Sequence, residues 1–277
     1  IILPGETQAT TGLNLFLGGK GMNQSIALAK AGVEVYHGGM IGKDGYAFID
    51  ACKEYGVHYD YIREAEGNTG HTIIQIDKNA QNSILLFAGT NDMLTESYVD
   101  EVIADFEEGD ILLLQNEVNM LPYMVDKAYE KGMQIALNPS PFNEKLNDVD
   151  MSKISYFLMN EVEGGQITGF SEPEKIIDRV VELYPEAKIV LTLGSDGAIY
   201  ADKNVRYHQP IFKVQAVDTT AAGDTFTGYF LAGIIEGMAI PEILKMSAKA
   251  SSIAVTRQGA VPSIPYKEEV LASLKED

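Results

Sequence analysis

Ile111-Leu112-Leu113-Leu114-Gln115, then a helical pattern from Leu121 to Lys131, then Gln134-Ile135-Ala136-Leu137 reads as strand, helix, strand. The strands are short unbroken apolar runs, as expected of strands buried on both faces, and the helix repeats its apolar residues three and four apart. That succession is the βα unit of a largely parallel sheet. Working outward, the same alternation predicts strands at Val33 to His37, Tyr156 to Met159 and Lys188 to Leu193, and helices at Thr95 to Glu107 and Pro173 to Tyr184. Asp44 and Thr95 read as N-caps, and Gly32, Gly56 and Gly132 as helix stops. The fold class is α/β.

Two stretches depart from the rhythm. Leu3 to Leu17, and Thr72 to Ile76 with Ser83 to Phe87 around Asp77-Lys78-Asn79-Ala80-Gln81-Asn82, read as strands and a hairpin without intervening helices. They suit an antiparallel appendage lying over the ligand edge as a lid; an ordinary extension of the main sheet suits them equally.

With 277 residues, 45% hydrophobic and 22% charged, the chain has the balance of one compact domain, or of a domain with an appendage, and not of a disordered chain. A formal charge of −19 disfavours a nucleic-acid partner, and it requires any anionic cosubstrate to find a local site of backbone N–H groups, cations or metal. Cys52 is the only cysteine, which excludes an intrachain disulfide and a cysteine metal cluster and fits a reducing compartment such as the cytoplasm. His37, His58, His71 and His208 lack ligand-like spacing. No apolar run approaches a membrane span, so a membrane role is not expected. The opening Ile1-Ile2-Leu3-Pro4-Gly5-Glu6 has neither an initiator Met nor a basic n-region, which leaves room for residues upstream.

The richest stretch is Asp218-Thr219-Thr220-Ala221-Ala222-Gly223-Asp224-Thr225-Phe226, followed by the apolar helical residues Tyr229, Phe230, Gly233 and Ile234. Small residues at 221 to 223 permit a tight turn and leave the first helical N–H groups open to a developing phosphate charge. A carboxylate at 224 beside that pocket could take a proton from an attacking hydroxyl; an Asp N-cap on a buried helix accounts for the stretch as well. The second stretch is Gly18-Gly19-Lys20-Gly21-Met22-Asn23-Gln24. It matches neither a Walker A loop, since Gly21 follows Lys20, nor a dinucleotide fingerprint, since Gln24 stands where the third glycine belongs. It is a glycine-rich strand-to-helix turn, or a site where a polyol approaches the backbone and Asn23.

Together these stretches resemble the two signatures of the ribokinase-like (phosphofructokinase-B) sugar kinases. The resemblance extends through Asn138-Pro139-Ser140-Pro141, Asn160-Glu161-Val162-Glu163, Thr192 to Gly197 and Arg257 to Ser263, and so covers nearly the whole chain. It implies a three-layer α/β/α sandwich with a mainly parallel central sheet and a small β lid, in one domain with lid strands from about 3–17 and 69–87. It implies transfer of the γ-phosphate of MgATP to a sugar hydroxyl. Ala-Ala before Gly-Asp and Lys-Gly after Gly-Gly resemble the ribose-specific branch, whose acceptor is O5 of D-ribose. Another sugar, a nucleoside, or a catalytically silent sugar-binding protein on the same fold are the alternatives.

By the same resemblance Asp224 is the base, and the N–H groups of Ala222, Gly223 and Asp224 are the anion hole. Gly19, Lys20, Asn23 and Glu117 line the sugar pocket, although Lys20 could be merely solvated and Glu117 could cap a helix. Asn160 and Glu163 face the phosphates and Mg²⁺, with Asn160 otherwise a plain N-cap. Thr192, Gly194, Ser195, Asp196 and Gly197 border the nucleotide, unless they form only a hairpin turn into Ala198 to Ala201. A K⁺ site is implied at Asp218, Thr220, Ala254, Arg257, Gly259 and Ser263, mostly through backbone carbonyls. A homodimer through the lid is implied too. Two departures stand out: no Asn-x-Asp strand precedes Ile1, where members of the family usually grip sugar hydroxyls, and Ala248 stands where some members carry a His near the adenine.

Overall fold

A computed structural model describes residues 5–7, 9–76 and 82–276. The strands are β1 Tyr36–Ile41, β2 His58–Glu64, β3 His71–Ile76, β4 Asn82–Phe87, β5 Ile111–Gln115, β6 Gln134–Asn138, β7 Tyr156–Asn160, β8 Lys188–Thr192, β9 Ala198–Ala201 and β10 Arg206–Gln209. The helices are α1 Lys20–Lys30, α2 Tyr46–Tyr55, α3 Glu96–Ala104, α4 Leu121–Glu130, α5 Glu161–Thr168, α6 Pro173–Leu183, α7 Ala222–Ile235, α8 Ile240–Ala254 and α9 Lys267–Ser273.

The central sheet has six strands in the order β10-β9-β8-β7-β6-β5. Strands β5 to β8 run parallel; β9 pairs antiparallel with β8, and β10 antiparallel with β9. Side chains of the strands alternate between two cores, as a pleated strand requires. Ala136, Tyr156, Leu158, Val190 and Tyr200 pack with residues of α1, α7 and α8. Ile135, Leu137, Phe157, Met159, Ile189 and Leu191 pack on the other side with residues of α3, α4 and α6. These are the three layers of the sandwich, and they explain why the strands read as continuous apolar runs.

Register brings polar residues to one edge. Gln115 lies opposite Asn138, and Asn160 opposite Thr192, so each of four neighbouring parallel strands ends in a polar side chain. The carboxyl edge of a parallel sheet, where strands stop and loops begin, is where open α/β folds bind ligands.

Helices α1 and α7, which follow the two glycine-rich stretches, cross in close contact. A Cβ placed on Gly228 would lie 2.4 Å from Ala27 Cβ and 2.9 Å from the backbone of Ala27 and Leu28. Alanine gains roughly 1 kcal/mol of helix propensity over glycine, but backbone atoms cannot step aside as a side chain can, and overpacking costs about 1–3 kcal/mol. Gly228→Ala is therefore expected to lower the thermal midpoint and to reduce activity with it; an unchanged melting curve would show that the crossing is loose.

Several expectations need correction. The strand predicted at Val33 to His37 begins at Tyr36 and pairs in parallel with β2 in a separate two-stranded sheet. Strand β2, mostly polar and half-exposed, carries no apolar run to announce it. Leu3 and Pro4 lie outside the described residues, and those described between 5 and 17 form no strand. Leu13 and Leu15 alternate like strand residues yet are 85% and 90% exposed, and among the described residues no strand pairs with them. Asp44 is not a cap: Gly45 holds the N-cap position of α2, while the Asp44 carboxylate accepts from the N–H and hydroxyl of Thr69 at 2.9 and 2.7 Å. Thr95 does cap α3, accepting from Tyr98 N, and Gly32, Gly56 and Gly132 take positive φ where their helices end. The hairpin forms as β3 and β4, antiparallel, and its turn at 77–81 lies outside the described residues. Among the described residues, no helix is long and apolar enough to cross a membrane.

Candidate active site

Asp224 sits in the first turn of α7 and is 8% exposed. The N-cap is Ala221, in the left-handed region at φ 60°, and no side chain caps the helix. Asp224 is thus inside the helix and not its cap, which removes the plainer reading of this stretch. The N–H of Ala222 closes a turn on the Thr219 carbonyl at 3.2 Å. Of the three expected anion-hole donors, those of Gly223 and Asp224 are left without a protein acceptor among the described residues, as the start of an α-helix dictates. Open N–H groups and the helix dipole favour an anion there.

Helix α1 delivers the second stretch to the same place. Asn23 Nδ2 donates to Asp224 Oδ2 at 2.8 Å, and Gln24 Nε2 to Asp224 Oδ1 at 2.8 Å. With its amide nitrogen so engaged, Asn23 keeps a buried Oδ1 that meets no protein donor. A buried orphan acceptor is costly, and a ligand hydroxyl would satisfy it. Glu117, just beyond β5, accepts from the Lys20 N–H at 2.9 Å through Oε2, which fastens the loop of α1 to the sheet edge. Burial pushes the Glu117 carboxyl up; the Lys20 N–H and charge pull it down, and the Asp224 charge adds to the rise.

A cavity of about 240 Å³ joins Lys20 and Asp224 to the ends of the parallel strands; Gly19, Asn23 and Glu117 stand behind its wall and do not line it. Lys20 and Asp224 lie on its wall, with Ala222 and Gly223; Asn160, Glu163 and Thr192 line it as well. Asn160 caps α5 and faces the cavity at once: its side chain accepts from Glu163 N, and Glu163 Oε2 accepts from Asn160 N, both at 3.0 Å. The sequence reading gave no role to Asn138, Thr219 and Thr227, which also line the cavity. Position at a strand's carboxyl end could have flagged Asn138, and Thr219 falls inside the stretch from 218 to 226; nothing local marks Thr227.

Gly194, Ser195, Asp196 and Gly197 are not part of the cavity wall. They form the turn between β8 and β9, with residues 194 to 196 exposed. Gly197 serves packing there, since a Cβ would lie 2.1 Å from the Gln209 carbonyl oxygen.

The residues expected at a cation site do come together. Asp218 Oδ1 accepts from Thr220 N at 2.9 Å and from its hydroxyl at 2.6 Å, and Oδ2 accepts from Gly259 N at 2.9 Å. Burial pushes the Asp218 carboxyl up, but these bonds outweigh it and hold it below the usual range. Arg257 N–H donates to the Ala254 carbonyl at 3.0 Å and its guanidinium reaches the Ser263 carbonyl at 3.5 Å. Among the described residues no group of three or more His, Cys, Asp and Glu is arranged to hold a metal ion.

Ribokinase from Haemophilus influenzae is 33% identical over 98% of this chain and 92% of its own. In structure the chain is similar to ribokinase from Thermotoga maritima, at TM-score 0.87 and 34% identity over 99% of this chain and 92% of that one. It is also similar to Arabidopsis thaliana ribokinase complexed with ribose and ATP, at TM-score 0.85 and 29% identity over 99% and 92% of the two chains. The model of the pfkB family carbohydrate kinases matches residues 2–267, taking in both glycine-rich stretches and the cavity they enclose, and the chain belongs to that family.

Proposed function

We propose that this protein transfers the γ-phosphoryl group of MgATP to O5 of D-ribose, giving ribose 5-phosphate, with Asp224 as the general base. The observation that carries this is the single cavity holding a buried carboxylate, the open N-terminus of α7 and the polar ends of β7 and β8. Ribose would lie toward Lys20, Asn23 and Glu117, with its hydroxyls supplying the hydrogen that Asn23 Oδ1 lacks. The nucleotide would lie toward Asn160, Glu163 and Thr192, its base beyond the turn at 194 to 197. Asp224 takes the proton of O5 as that oxygen attacks, and the N–H groups of Gly223 and Asp224 receive the charge gathering on the transferred phosphoryl oxygens. Mg²⁺ bound with the nucleotide neutralises phosphate charge; the Glu163 oxygen outside the capping box is a hard donor suited to it or to its waters. The similarity to relatives named ribokinase favours ribose over another sugar or a nucleoside.

Asp218, with the carbonyls of Ala254, Arg257, Gly259 and Ser263 and the oxygens of Thr220, would hold K⁺. One carboxylate among carbonyl oxygens is a donor set suited to a large monovalent cation, and the loop it braces leads directly into α7. Sugar-dependent ADP release tests both readings. Ribose is expected to give turnover, and K⁺ at constant ionic strength to raise it about 5-fold or more, the low end of usual coupling between two sites. Turnover with fructose or adenosine equal to that with ribose would overturn the ribose assignment, and equal rates in Na⁺ after exhaustive K⁺ removal would overturn the K⁺ site.

The hairpin of β3 and β4 supports a homodimer through the lid. Ile73 and Ile74 point to opposite faces, as do Ile84 and Leu85, and all four are more than half exposed. A second copy would cover them. The unpaired buried Cys52 suits a reducing, cytoplasmic setting.

A further inference from the structure

Asp224 is gripped from behind by a chain of amides. Gln24, fully buried in the second turn of α1, donates from Nε2 to Asp224 Oδ1 at 2.8 Å. Its own Oε1 accepts from Gln115 Nε2 at 2.7 Å, and Gln115 is the last residue of β5. Neither glutamine lines the cavity. The carboxylate is therefore held at both oxygens by amides behind the cavity wall, and of the two only Asn23 keeps an oxygen without a protein donor for a ligand to meet, since the Gln24 oxygen is taken by Gln115.

The direction of the Gln24 amide follows from its neighbours. The two ends of a carboxamide have nearly the same shape, so packing alone does not choose between them. The Asp224 carboxylate only accepts, so it draws the Gln24 NH₂, and the Gln24 oxygen is left to the Gln115 NH₂, which donates to it at 2.7 Å and holds the amide from behind. The reverse orientation would set an oxygen against a carboxylate oxygen in a buried place, where repulsion is weakly screened. Gly21 leaves room for this arrangement, since a Cβ there would lie 3.1 Å from Gln115 Oε1.

We propose that Gln115 and Gln24 form an amide relay that positions the base: Gln115 anchors the Gln24 amide to the end of β5, and Gln24 so anchored holds the Asp224 carboxylate in the plane from which it meets the sugar hydroxyl. Both are positioning residues, and the relay rests on Asp224 being the base. Hydrogen bonds to a charged group are the strong class and give orientation as well as attraction.

The test is a double-substitution cycle with Gln24→Met and Gln115→Met, which keep side-chain volume and remove the amide. Rates are measured at saturating D-ribose and ATP and expressed per nucleotide-binding site, so that unfolded enzyme does not count. Gln24→Met is expected to lower kcat about 10-fold, as loss of one hydrogen bond to a charged group would, with KM for ATP within about twofold. Gln115→Met is expected to cost less, and the double variant to match Gln24→Met, because a chain cut at one link loses little at the next. Gln115→Glu adds a readout independent of volume. An ionised carboxylate only accepts, so it would pull the Gln24 NH₂ away from Asp224 and slow kcat beyond Gln115→Met. Multiplicative losses in the cycle, or Gln115→Glu as fast as Gln115→Met, would overturn the relay. Asp224→Asn is the control. If it is inactive while both methionine variants keep native kcat, the relay alone fails; if it stays near native, the base assignment fails and the relay with it.

Discussion

Asp224→Asn is expected to lower kcat at least ~10²-fold, the usual scale of general-base assistance, while nucleotide affinity stays within a factor of about two. The nucleotide side of the cavity is built by β7, α5 and β8, and none of those residues depends on the Asp224 side chain for its place. The structure adds a second cause of loss. Both Asp224 oxygens accept from amide N–H groups, so the NH₂ of an asparagine would face a donor from Asn23 or Gln24. Asp224→Ala avoids that conflict yet still lacks a base, and the two variants are expected to be similarly slow. Near-native kcat in Asp224→Ala would mean that the proton leaves by another route.

Glu117→Ala and Asn23→Ala are expected to lower kcat/KM for ribose by about 10- to 100-fold, from hydrogen bonds involving a charged or fully buried partner. They should differ in how the loss divides. Among the described residues Glu117 bonds the Lys20 N–H and not Asp224, so its loss should appear mainly as a higher KM for ribose. Asn23 bonds Asp224 directly, so Asn23→Ala should reduce kcat as well. Because burial raises the Glu117 carboxyl, ribose KM should begin to rise, as pH falls, sooner than an exposed glutamate would cause. Glu117→Gln should flatten that dependence. Steady-state kinetics over ribose concentration and pH check all of this; an unchanged ribose kcat/KM in both alanine variants would remove them from the sugar pocket.

Strands β5 to β8 were legible to within a residue at each end, because each is an unbroken apolar run stopped by a polar residue and each faces a helix layer on both sides. The tight turn ahead of α7, the loop of α1 and the N-cap at Asn160 were legible too, since turn chemistry and helix starts are written in a few consecutive residues. What the chain's order could not convey depends on contact between distant segments. Leu13 and Leu15 carry a strand's alternation, but a strand is made by its partner, and among the described residues none pairs with them. Strand β2 has almost no apolar pattern and exists through its ladder with β1. Asp44 looks like a cap until Thr69 competes for its carboxylate. The Ala222 N–H appears available until the turn folds it onto Thr219. Gln24 and Gln115 are unremarkable glutamines until α1, α7 and β5 meet, for the bond from Gln24 to Asp224 spans 200 positions and that from Gln115 to Gln24 spans 91. Local propensity acts within a few residues, whereas the direction of a buried amide is set by the donors and acceptors that packing brings to it.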